Sequence, residues 1–275
     1  MQKIQLLTSH LLAYPTSSFV LDFKNSFSTI LRSVMGDMFG FEILYEVGPC
    51  LAINKPAGLL TQAPRWVDSL ERRVKQYLCE NEGRPENGYL GIPHRLDRPV
   101  SGVILFGKHS RAAHRLSKQF EKREIKKRYW AVVAGTVEPD TGTWIDFMRK
   151  IPDVPQGEIV PEDHPDGRKG ILHYKVLQSL AFQDTRATLL EIELETGRMH
   201  QIRLQSSIRG YPILGDTMYG STVPFDDHFE DERCRSIALH AVSIAFCDPM
   251  TRQPVTLHAP LPQPWQFFTP KIVRV

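Results

Sequence analysis

The chain has 275 residues, 41% hydrophobic and 24% charged, with a formal net charge of +3. That is enough for one large domain or two small ones, and the composition excludes a disordered or fibrous chain. No apolar run approaches about 18 residues and no secretory signal opens the sequence, so no membrane span and a cytoplasmic address are expected. The cysteines Cys50, Cys79, Cys234 and Cys247 form no C-x-x-C pair and no zinc spacing. Free, mostly buried thiols and no metal site are the expectation.

Residues 1–38 show weak periodicity and no motif, and read as an extension of unknown role ahead of a domain over 39–270. Residues 41–54, FEILYEVGPCLAIN, predict two short strands broken at Gly48-Pro49. Lys55-Pro56-Ala57-Gly58 predicts a turn. Apolar residues at Val67, Leu70, Val74, Tyr77 and Leu78 predict a helix over 67–80 with Asp68 near its start. Residues 81–88 are a loop.

Residues 91–107, GIPHRLDRPVSGVILFG, carry the most unusual pattern. Asp97 stands between Arg95 and Arg98, ahead of a tight Pro99–Gly102 turn and a strand at 103–107. Two guanidiniums beside a carboxyl favour its ionised form. An ionised carboxylate on a turn suits a nucleophile, and arginines suit an anionic substrate. A structural salt bridge is the competing reading.

The helix predicted over 110–123, with Ser110 as N-cap, puts Ala113, Leu116 and Phe120 on one face and cations on the other. Residues 91–130 hold eleven Lys/Arg against three acids, a net of +8, so the rest of the chain sums to −5. Such a block is the footprint of a polyanion binder, or else a solvated helix face. Lys126-Lys127-Arg128 then precede Tyr129-Trp130, at the start of a strand over 128–134. Cations for phosphates beside an aromatic platform for a base recur in proteins that hold unstacked nucleotides.

Further strands are predicted at 143–147, 171–178, 187–195 and 237–246, and a long surface loop at 152–165. TGRMHQIR at 196–203 predicts a helix over 198–208 opened by Arg198, with His200 and Arg203 on one face. A cation at a helix N-terminus opposes the dipole, which suggests an anionic partner: Asp97 or a phosphate. GDTMYG at 215–220 reads as a structural turn, and the acidic stretch 226–232 as a solvated loop. Strands in succession with few helices predict an α+β fold with a mixed or antiparallel sheet. No nucleotide-binding glycine loop is present, so no cofactor is expected.

Six strings together resemble the RluA-like family of RNA pseudouridine synthases. They are INKPAGL (53–59), HRLDRPVSGVILFGK (94–108), KKRYWAVVAG (126–135), TGRMHQIR (196–203), GDTMYG (215–220) and LHA (239–241). They occur in the family's order and cover roughly 41–260. Residues 1–38 leave no room for the basic S4-type domain of many relatives. The resemblance implies a curved, mixed, mostly antiparallel sheet with flanking helices and a central RNA-binding cleft. It implies the isomerisation of specific uridines in tRNA or rRNA to pseudouridine without cofactor; a monomer is the default expectation. Asp97 would be the catalytic aspartate and Arg198 its charge partner. Tyr129 would stack on the base and serve in the last proton removal. Arg95 would fill the gap left by the extruded uridine, and Leu239 would pack on the uracil. His94, Arg98, Lys126, Lys127, His200 and Arg203 would contact RNA or shape the cleft. Val100 stands where the family usually has Thr, and Asn54 where Asp is frequent. A non-catalytic RNA-binding or ribosome-assembly factor on this scaffold, and a glycosidase, are the alternatives. The glycosidase needs a second carboxylate, and none accompanies Asp97 in its motif.

Overall fold

The computed structural model describes residues 38–182, 185–226, 231 and 235–268. Residues 1–37, Cys234 and most of the acidic stretch 226–232 lie outside the described residues.

Strands β1 (Glu42–Val47) and β2 (Cys50–Lys55) form a hairpin around Gly48-Pro49. Helix α1 (Leu70–Glu82) follows, capped by the Ser69 hydroxyl, which accepts from the Arg72 amide. Asp68 instead takes the Arg73 guanidinium at 2.6 Å. Strand β3 (Ser101–Gly107) is buried along its whole length, as its unbroken apolar run requires of a central strand. Helix α2 (Ser110–Glu121) buries Ala112, Ala113 and Leu116; its N-cap is His109, not Ser110.

The remaining strands are β4 (Lys126–Ala134), β5 (Thr141–Lys150), β6 (Gly157–Val160), β7 (Arg168–Phe182), β8 (Thr185–Leu194), β9 (Leu239–Cys247) and β10 (Pro254–His258). One sheet runs in the order β1-β2-β3-β9-β4-β8-β7-β5-β6, with β10 paired to β9. Among the described strands only β3 and β9 pair in parallel; the other strand pairs are antiparallel. The fold is α+β with a mixed, mostly antiparallel sheet. Leu51, Ile53, Ile104, Phe106, Val132, Leu190 and Trp265 belong to one continuous core.

Further local details differ from the expectation. The stretch 152–165 is not all loop, because Glu158-Ile159-Val160 pairs with β5 between Pro155 and Pro161. Strand β10 was hidden in a short segment whose only alternation is Val255 and Leu257. Helix α3 spans Gln201–Ser207 rather than 198–208, because His200 at φ 51 is left-handed and stops the helix from starting earlier. The cysteines also differ: Cys50, Cys79 and Cys247 are free, but only Cys50 is fully buried and Cys247 is exposed.

The parallel contact of β3 with β9 positions the site. At Gly102, with φ 117, an added Cβ would lie 2.4 Å from the Ala241 carbonyl oxygen. Only glycine lets the two backbones meet there. Beside it, the Ser101 hydroxyl meets His240 Nδ1 at 2.8 Å, and His240 Nε2 faces the Ala259 carbonyl at 3.2 Å. Burial pushes this imidazole down to about 4, so it is a neutral peg between strands.

Candidate active site

Asp97 lies on a turn just before β3. The turn is closed by the Val100 amide, which donates to the Asp97 carbonyl at 3.1 Å. It therefore spans 97–100 rather than Pro99–Gly102. The backbone makes this bond, so the turn does not depend on a hydroxyl at Val100. The loop is clamped from below by the INKPAGL segment. Lys55 is fully buried, and its ammonium donates to the carbonyls of Pro56 (2.8 Å), Val100 (2.9 Å) and Arg98 (3.3 Å). Burial pushes it down to about 7, opposed by the charge of Asp97. The Gly58 amide also donates to the Arg98 carbonyl, and the Thr61 hydroxyl to that of Leu96, both at 2.8 Å. Asn54 donates to Glu42 and to the Pro260 carbonyl, each at 3.2 Å, an edge role away from the turn.

The charge partner of Asp97 is Arg203, not Arg198. Arg203 Nη1 donates to Asp97 Oδ2 at 3.3 Å. Its Nε and Nη2 grip Asp216 as a fork, at 2.6 and 2.8 Å. Both side chains of this fork are almost wholly buried. Asp216 belongs to GDTMYG, so that string is more than a turn: it fixes the arginine that faces Asp97. Arg198 precedes α3, is exposed, and donates through Nε to the Lys169 carbonyl at 3.0 Å. The residue order misled here: with His200 left-handed, α3 starts at Gln201 and Arg203, within its first turn, projects toward Asp97. The Gln201 side chain accepts from the Arg198 amide and the Thr196 hydroxyl, tying TGRMHQIR into one knot.

His200 Nε2 lies 3.7 Å from Asp97 Oδ2, and its Nδ1 lies 2.8 Å from the Tyr219 hydroxyl. Burial lowers its proton affinity against the pull of Asp97. Neither His200 nor the buried Arg203 is placed as a phosphate contact, since their polar atoms are engaged within the protein. His94 is likewise committed. Its Nε2 accepts from the Leu105 amide at 2.9 Å, and burial pushes the ring down to about 3. This neutral ring packs 4.6 Å from Phe120 and shapes the cleft wall.

Tyr129 lies in β4, opposite Ile192 of β8, where the β4–β9 ladder shifts register between Arg128 and Trp130. A bulge of this kind re-aims a side chain. Tyr129 is buried yet lines the same cleft as Asp97, while Trp130 packs against the core. Burial, then the Asp97 charge, raise its phenol, so it stays protonated in the free enzyme. Leu239 lines the cleft from the start of β9, and Arg95 and Arg98 line it from the Asp97 loop. Lys127 sits 5.7 Å over the Phe120 ring, its proton affinity lowered by burial. Lys126 is exposed and 3.5 Å from Glu193. The cleft has a volume of about 1740 Å³. A small-molecule site holds roughly 300–1,000 Å³, so this one has room for several nucleotides.

The chain matches the family model described as RNA pseudouridylate synthase over residues 49–207. That span begins just before β2 and ends with α3, enclosing every element that presents Asp97, Tyr129 and Arg203. The chain belongs to the RNA pseudouridylate synthase family. The tRNA pseudouridine synthase C of Salmonella typhimurium is 34% identical over 235 residues, covering 82% of this chain and 86% of its own. That of Haemophilus influenzae is 32% identical over 233 residues, covering 82% and 95%. Two solved human structures share the fold. RNA Pseudouridylate Synthase Domain Containing 4 has a TM-score of 0.66 and 22% identity, covering 85% of this chain and 94% of its own. RNA Pseudouridylate Synthase Domain Containing 1 has a TM-score of 0.64 and 19% identity, covering 81% and 84%. As a pseudouridine synthase the protein is an isomerase acting on RNA. No helix among the described residues is long and apolar enough to cross a membrane.

Proposed function

We propose that this pseudouridine synthase converts specific uridines of tRNA to pseudouridine, with Asp97 as its catalytic carboxylate. The observation that carries the assignment is the convergence on one cleft of Asp97, its buried guanidinium Arg203, and the aromatic wall Tyr129. The uracil–ribose bond must break, the base must turn, and C5 must join C1′. Asp97, about 29% exposed at its side chain, is open to such a substrate while Arg203 keeps its charge in place. Attack on the sugar, attack on the base, and removal of the 2′-proton all use that same carboxylate.

Tyr129 supplies the face against which the extruded uracil stacks, and Leu239 an apolar edge. Tyr129 is the group assigned to the final proton removal from C5; burial first, and then the Asp97 charge, oppose its ionisation. Arg95 is exposed at the loop and suits the gap left in the helix. Arg98, Lys126, Lys127 and the exposed Arg198 supply positive charge for the phosphates. Residues 39–270 form the catalytic domain, acting as a cytoplasmic monomer without cofactor.

The choice of tRNA over rRNA is supported by the names of the two bacterial relatives above. Pseudouridine mapping after incubation with uridine-containing tRNA and rRNA transcripts tests it. One or a few modified positions in tRNA are expected. Modification of rRNA alone overturns the substrate, and modification of neither overturns the activity.

A further inference from the structure

Both groups that address Asp97 converge on the same oxygen. Arg203 Nη1 is 3.3 Å and His200 Nε2 is 3.7 Å from Oδ2. Oδ1 accepts no hydrogen bond among the described residues, in a cleft-lining residue. What His200 can do for Oδ2 depends on which ring nitrogen carries its proton, and the structure decides that.

The chain of bonds starts in β6. The Gly157 amide donates to the Tyr219 hydroxyl oxygen at 2.9 Å. An amide has no lone pair to offer, so this direction is forced. Among the described residues the Tyr219 hydroxyl proton then has one partner in reach, His200 Nδ1 at 2.8 Å. A ring that accepts at Nδ1 and is neutral carries its hydrogen on Nε2. The other tautomer would leave the Tyr219 proton without an acceptor and turn the Nε2 lone pair toward a carboxylate. Both ends of the ring reject it. Tyr219 is itself held firmly. It packs with Met148 and Leu204 in a small cluster apart from the main core, with the Arg203 guanidinium 5.0 Å over its ring. His200 meets it edge-on, with ring centroids 5.6 Å apart.

We propose that His200 is a positioning residue: Tyr219 and Gly157 lock it in the Nε2–H tautomer, so that with Arg203 it secures Asp97 Oδ2 and leaves Oδ1 as the oxygen that meets the substrate. The proposal rests on Asp97 being the catalytic carboxylate. At 3.7 Å the His200 contact is a charge–dipole attraction in the free enzyme. It shortens to a hydrogen bond as the carboxylate settles against substrate, as catalytic contacts commonly do. It also explains why β6 matters. This short strand, reached through a proline-bounded turn, sets the proton position of a ring beside Asp97.

Two measurements test it. In ¹⁵N-labelled protein at neutral pH, the long-range couplings of the His200 ring report its tautomer without any substrate. Nε2–H is expected in the wild type and a mixture in Tyr219→Phe. An Nδ1–H ring, a doubly protonated ring, or no change in Tyr219→Phe overturns the relay. Kinetics then separates positioning from structure. His200→Leu and His200→Gln carry the same left-handed backbone strain, but the Gln amide restores a donor toward Asp97. His200→Leu should lower kcat by about 10- to 100-fold, the effect of losing a hydrogen bond to a charged group, with KM for RNA within about twofold. His200→Gln should recover most of that loss. Adding Tyr219→Phe to His200→Leu should cost nothing further. Equal losses in Leu and Gln, or additive losses in the double variant, overturn the positioning role. A wild-type protein that makes no pseudouridine would instead remove the function of Asp97, with the tautomer still reporting on the relay.

Discussion

Replacing Arg203 by Met tests the buried fork directly. The Arg203–Asp216 pair is closed on both sides, with side chains 4% and 2% exposed. Removing the guanidinium leaves the Asp216 carboxylate buried without its counter-charge. Breaking a buried pair in this way costs about 3–5 kcal/mol. Arg198→Met removes an exposed side chain with one hydrogen bond to a carbonyl, worth about 1 kcal/mol or less. Equilibrium urea unfolding of the two variants reads the difference. The double variant Arg203→Met, Asp216→Leu replaces the pair by apolar side chains and should regain at least about 2 kcal/mol over Arg203→Met. It should not regain pseudouridine formation, since Asp97 still lacks its guanidinium. Equal destabilisation by Arg198→Met, or full activity in the double variant, would refute the assignment of Arg203 as the partner of Asp97.

Three further outcomes follow from the site. Lys55 releases its proton near pH 7 when folded, against 10.5 for the free group. Between these values the unfolded chain binds more protons, so this group makes stability rise with pH, by up to about 1.4 kcal/mol per unit, and adds no slope below pH 7. Lys55→Met should remove that slope between pH 7.5 and about 9 in urea unfolding curves; an unchanged slope contradicts the buried ammonium. Tyr129→Phe keeps the stacking ring and loses the hydroxyl. Its RNA Kd should stay within about threefold while product formation falls at least about tenfold, and undiminished turnover would take the hydroxyl out of the reaction. Lys127→Ala should reduce the slope of log Kd against log salt by about one, the value of one phosphate contact, whereas an unaltered slope would move Lys127 off the RNA.

Much of this was legible in the sequence because it is local. The alternation of β8, the apolar run of β3 and the stripe of α1 each announce themselves within a dozen residues. Asp97 stood out for the same reason, with two arginines beside it. What was not legible depends on distant closure. Arg203 and Arg198 share one motif, and nothing in the string says which reaches Asp97. That is decided by the left-handed backbone at His200 and by Asp216, thirteen residues beyond Arg203. Lys55 reads as a turn residue until the Arg98 and Val100 carbonyls arrive above it. Of the two roles open to His94, contacting RNA or shaping the cleft, the second is set by the Leu105 amide of β3, eleven residues on, from which its Nε2 accepts. Strand β6 was masked by its flanking prolines, yet it delivers the Gly157 amide to Tyr219.

The central claim is that the Asp97 carboxylate drives the rearrangement. When C5 joins C1′, the hydrogen at C5 is lost, so tRNA carrying tritium at C5 of uridine releases label with each turnover. Asp97→Asn keeps the shape of the side chain and its place beside Arg203, and removes the charge. The variant should bind the tRNA with a Kd within about threefold of the wild type and release no tritium above the blank. Release by Asp97→Asn at a rate within about 100-fold of the wild type would contradict the account.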